Sequence, residues 1–128
     1  MSKTAEQAIH DRLWQIISSL VTDVYESRPM TEVNYPFADF ADFQASFIGT
    51  KNGTTARISG EINIWDTEDN RKNVSGIGES LFVQAMQLRT AFNYPVSLSV
   101  SNSYYQVIQD TTVTPPVWRC LVHLEFNL

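Results

Sequence analysis

Two histidines, one cysteine and a short acidic turn are the side chains of this chain best equipped for chemistry. A histidine metal site needs partners at a fixed spacing, such as two histidines one helical turn apart, and neither His10 nor His123 has one. His123 precedes Glu125 on the less apolar face of the last predicted strand and reads as a surface or interface residue. Cys120 lies on the opposite, apolar face, where a thiol acts as a small hydrophobe. A nucleophilic cysteine would need exposure and a neighbouring base. Asp66-x-Glu68-x-Asn70 imitates the opening of an EF-hand loop, but Arg71 stands where that loop needs glycine and Ile77 where it needs glutamate. These acids read instead as charges favouring the positive end of the helix that follows. Gly76-Ile77-Gly78 lacks the third glycine of a dinucleotide-binding turn and does not directly follow a strand. No catalytic, cofactor or metal-binding residue is therefore expected. Trp14, Trp65 and Trp118 read as core or interface anchors. A small-ligand module or enzyme would require Trp65, His123 and Glu125 to converge in one cleft.

The elements that would position these residues follow from hydrophobic period. Thr4 with Gln7 reads as a capping box opening a helix to about Val24, with Ile9, Leu13, Ile16, Ile17, Leu20 and Val24 as its apolar stripe. Phe43, Ala45 and Phe47 alternate with polar residues, and Asn52-Gly53 is a hairpin signal, which pairs Phe43–Ile48 with Thr55–Trp65. In the second strand Ala56, Ile58, Gly60, Ile62 and Ile64 share one face, while Arg57, Glu61 and Trp65 face away. The period then changes to that of a helix, Glu68 to Phe92, with Thr67 as N-cap and Val74, Ile77, Leu81, Ala85, Leu88 and Phe92 inward. Gly76 and Gly78 weaken that helix unless they let it approach the sheet closely. Val96–Val100 alternates, Tyr104–Val113 is extended, and Val117–Phe126 places Trp118, Cys120, Val122, Leu124 and Phe126 on one face. The expected fold is α+β, in the order α-β-β-α-β-β. An antiparallel sheet of about four strands carries two helices on one face, in a single domain over residues 1–128.

With 128 residues, 43% of them hydrophobic, the chain has material for one core. A net charge of −5 with nine scattered basic residues argues against specific nucleic-acid binding, which needs clustered cations. Such an acidic balance suits a conduit through which DNA passes without sticking. One cysteine excludes an internal disulfide. No apolar run is long enough for a membrane span, and the N-terminus lacks the apolar segment of a signal peptide, so a soluble protein made in a cytoplasm is expected.

The N-terminal helix, the Tyr35-Pro36-Phe37 entry, the strand ending Ile62-Asn63-Ile64-Trp65, the polar turn, the long helix and the C-terminal strand together resemble the tail-terminator (tail-completion) proteins of long-tailed bacteriophages. The resemblance spans nearly the whole chain. It implies a virion structural protein with no enzymatic activity, assembled in the host cytoplasm. Such a protein forms a ring, commonly a hexamer, that stops growth of the tail tube and presents a docking surface to the head. The implied partners are further copies of itself, the major tail tube protein and the head–tail connector proteins, with DNA passing through. Another neck or connector subunit is the alternative. Subunit contacts are expected at two surfaces. One joins the hairpin turn Gly49–Gly53, with Lys51 and Asn52, to the polar turn Asp66–Asn73, with Asp69, Arg71 and Lys72. The other is Ser101–Pro116, with Tyr104 and Tyr105. Arg57, Glu61 and Trp65 are expected to meet a neighbouring subunit.

Overall fold

A computed structural model describes residues 3–128. The elements are α1 (Ala5–Ser18), β1 (Asp23–Tyr25), β2 (Phe37–Thr50), β3 (Gly53–Thr67), α2 (Arg71–Gln87), β4 (Thr90–Ala91), β5 (Tyr94–Pro95), β6 (Ser97–Leu98), β7 (Tyr104–Asp110) and β8 (Val117–Asn127). The main sheet runs β1-β2-β3-β8, and both β6 and β7 pair with the far edge of β8, so it has six strands rather than about four. It is mixed, because β1 lies parallel to β2 while the other pairings are antiparallel. The α+β class holds, with a small second sheet of β4 and β5.

Both helices cover the face that the alternation marked as apolar. Ile58, Ile62 and Ile64 of β3 and Cys120, Val122, Leu124 and Phe126 of β8 are buried there. They pack with Ile9, Leu13 and Ile17 of α1 and with Val74, Leu81 and Ala85 of α2. Burying a Leu, Ile or Phe side chain is worth about 1.5–3 kcal/mol, so this layer dominates stability.

Each helix is shorter than its apolar pattern. Thr4 does cap α1, its hydroxyl accepting from the Gln7 N–H, but the Gln7 amide turns to Asp11 instead of completing a capping box. Ser18 and Ser19 donate to the carbonyls of Trp14 and Ile16, and the helix stops there. Val24, expected as its last apolar residue, lies instead on β1 opposite Ala38. Helix α2 starts at Arg71, with Asn70 and not Thr67 in the cap position. It ends at Gln87 because Leu88 turns extended, and Phe92, expected inside it, sits at φ 55° in the turn between β4 and β5.

Gly78 is where α2 meets the sheet. A Cβ there would overlap the Cys120 sulfur, whereas one at Gly76 would meet nothing within 4 Å. Gly78→Ala should therefore lose about 1–2 kcal/mol, as overpacking outweighs helix propensity. Gly76→Ala should gain about 0.5–1 kcal/mol from propensity alone. Urea denaturation checks both, and Cys120→Ala should restore most of the Gly78→Ala loss by vacating the space.

Candidate functional site

The helix-free face of the sheet and its two ends hold most of the residues with a candidate role. Trp65 is the first departure from expectation. It does point away from the helices, yet it is only 4% exposed. The Arg28 guanidinium sits 4.1 Å and that of Arg119 5.5 Å from its ring centroid, and Phe37 stacks beside it. Its indole N–H donates to Asp39 at 2.6 Å, Asn63 donates to the other Asp39 oxygen at 2.9 Å, and Arg119 donates to Asn63 at 2.8 Å. Trp65 is thus covered by its own chain and offers a neighbour no surface.

Farther along the same face, β3 pairs Glu61 with His123 of β8, which pairs with Tyr104 of β7. The His123 Nδ1 lies 3.7 Å from a Glu61 oxygen, and the Tyr104 ring stacks on the imidazole at 5.2 Å. That nitrogen is buried without a hydrogen-bond partner. Glu125 is held by Asn102 at 2.9 Å. Trp65, His123 and Glu125 occupy separate levels of an open sheet face rather than the wall of one cleft. The convergence a ligand-binding module needs is missing. Arg57 is exposed on this face near the hairpin, whereas Tyr105 lies on the helix side with its ring against Phe82.

The two turns expected to share a surface do not meet within one chain. Lys51 and Asn52 form the exposed tip joining β2 to β3, and Asp69, Arg71 and Lys72 follow the other end of β3. The intervening strand of 15 residues holds them about 45 Å apart. Arg71 lies over the Trp118 ring at 5.4 Å, and Asp69 and Lys72 are exposed. Next to the polar turn is a cleft of about 340 Å³, walled by Val33, Tyr35 and Pro115 with Glu32 and Glu68 among its lining.

The remaining chemical candidates serve the fold. Burial pushes the Cys120 thiol up to about 11, which keeps it protonated and unreactive near neutrality. His10, off the apolar stripe of α1, is nonetheless buried against Trp14, Phe40 and Phe43, with its nitrogens 2.9 Å from Asp11 and 3.1 Å from Glu26. The Lys3 ammonium, donating at 2.7 Å, helps hold the Asp11 carboxyl down at about 2. Among the described residues no group of three or more His, Cys, Asp or Glu could hold a metal ion, and no helix is long and apolar enough to cross a membrane.

This geometry is one of surfaces. A chain from the virion of a native gene transfer agent particle has the same fold. The two superpose with a TM-score of 0.64 at 8% sequence identity, over 96% of this chain and 92% of that one. No protein-family model and no curated protein matches the sequence.

Proposed function

We propose that this chain is a non-enzymatic structural subunit of a phage-like virion, and within it the tail terminator. A ring of copies, six by the resemblance, ends growth of the tail tube and gives the head its docking surface. Its partners are then itself, the major tail tube protein and the head–tail connector, with DNA passing through the ring unbound. The observation that carries this reading is the fold shared with a virion chain along nearly the full length of both. The helix-free face supports it, since Arg57, Glu61 and Tyr104 stand at separate positions across it rather than around a cavity. So does the low share of charged residues, 18%, which is compatible with burial between subunits.

Light scattering combined with negative-stain imaging tests the proposal. Purified protein mixed with tail tubes should form rings and cap the tubes. A persistent monomer that never caps a tube would sink it, and attachment to heads but not to tubes would favour the connector alternative. Charge reversal of Arg71 and Lys72 should weaken assembly at least several-fold while leaving the thermal transition within a few degrees. Unchanged assembly would exclude that turn from the contact.

A further inference from the structure

The outer half of the β2–β3 hairpin extends past the rest of the sheet. Beyond Asp39 no strand pairs with the outer edge of β2 among the described residues, and β8 ends opposite Arg57. Thr54 and Thr55 therefore lie past the third strand, and the tip is a two-stranded arm. Such an arm is marginal in water by itself. From Phe43 to Thr50 its edge carries no charge and no proline, the residues that ordinarily guard an open edge. Phe47 on this arm is 72% exposed.

At the opposite end of the sheet lies the cleft walled by Val33, Tyr35 and Pro115. Its cation, Arg28, is occupied by Asp110 at 3.5 Å and by the Trp65 ring. Glu32 and Glu68 line the cleft, are exposed and form no ion pair among the described residues. Lys51 at the hairpin tip is likewise exposed, with no ion pair among the described residues.

The geometry points to a head-to-tail contact between copies, in which the hairpin tip of one chain enters this cleft of the next and Lys51 faces Glu32 and Glu68. The occupant is a second copy because each chain carries both halves, a basic tip beyond an uncharged edge strand and a cleft lined by two acids without an ion-pair partner among the described residues. They sit at opposite ends of one strand and cannot meet within a chain. A contact between two different patches repeats from copy to copy and closes into a ring when the rotation permits. This inference rests on the ring reading and supplies its bond. It also restores the expected union of the Gly49–Gly53 and Asp66–Asn73 turns, now across two chains.

Disulfide trapping tests it. A bridge needs Cα atoms within about 7 Å, so a Lys51→Cys/Glu32→Cys chain, with those positions beyond opposite ends of β2, can bridge only between copies. The native Cys120 is fully buried and does not compete. Oxidised assemblies should run as a ladder of covalent multimers on a denaturing gel, which neither single variant produces. Lys51→Glu should lower assembly at least tenfold, and adding Glu32→Lys should restore most of it. If wild-type rings form yet no ladder appears and Lys51→Glu assembles normally, the contact is wrong while the ring reading survives. Trapping of the Lys51→Cys variant to a tube subunit instead would also overturn it. A wild-type chain that stays monomeric even with tubes removes both.

Discussion

Asp39→Ala should cost about 3 kcal/mol of folding stability, because it strands two buried donors at once. Asp39 is 3% exposed and accepts from the Trp65 indole and from Asn63, while Asn63 in turn accepts from Arg119. A buried donor left without a partner costs about 1–3 kcal/mol, and removing one member of a buried charged network costs more than any neutral contact nearby. The carboxylate also lies in a patch with two cations, Arg28 and Arg119, near the same indole. For a domain whose total stability is of order 5–15 kcal/mol, such a loss lowers the melting temperature by roughly 10 °C. Trp65→Phe removes one donor and should cost about 1–2 kcal/mol. The double variant should lose less than the sum, because the two residues share one bond. Urea denaturation of the four proteins measures the cycle. A loss below about 1 kcal/mol for Asp39→Ala would show that the helix-free face is not held by this network.

How much of this was legible in the sequence depends on the range of the cause. The faces of β3 and β8 could be read because side-chain direction alternates with every residue, so Ile58, Ile62, Cys120 and Val122 declared their common side. The hairpin could be read because Asn52-Gly53 is a local turn signal. The end of α1 could not, since Leu20 and Val24 keep helical spacing. Beyond the Ser18 and Ser19 bonds that close the helix, what draws Val24 out of helical spacing is the parallel pairing of Asp23–Tyr25 with Phe37–Asp39, a non-local bond. The covering of Trp65 within the chain could not be read for the same reason: the face opposite the isoleucines is polar by pattern, and Arg28, which covers it, comes from a distant loop. His10 lies off the apolar stripe of α1, yet Phe40 and Phe43 reach it from β2, which no local pattern in the helix shows. For the candidate surfaces, the separation of the two turns was already implied by the strand between them. The cleft beside the polar turn was not, because its walls come from three separate segments.

Replacing Asp66 should loosen the polar turn without unfolding the chain. Asp66 is 2% exposed and accepts from the Thr67 N–H at 2.7 Å, the Asn70 amide at 3.1 Å and the Asn73 amide at 2.6 Å. Asn70 makes no side-chain cap to α2; its Nδ2 instead donates to Asp66 and to the Thr67 hydroxyl. The carboxylate therefore ties the turn to the start of α2 through the side-chain amides of Asn70 and Asn73 rather than by capping its backbone. Hydrogen bonds to a charged group are worth about 1.5–3 kcal/mol each, but Asn70 and Asn73 are exposed and regain water, so Asp66→Ala should cost about 2 kcal/mol in total. Hydrogen exchange should rise first in residues 67–74, and assembly should fall with it, since Glu68, Arg71 and Lys72 ride on this turn. Asp66→Asn should be intermediate, because it keeps one acceptor and turns an amide towards a donor. The same site separates a structural carboxylate from a cation ligand. With both oxygens already committed, millimolar calcium or magnesium should leave the melting temperature of the wild-type protein unchanged. A rise saturating with cation would be the linkage signature of binding to the folded state and would reassign the turn.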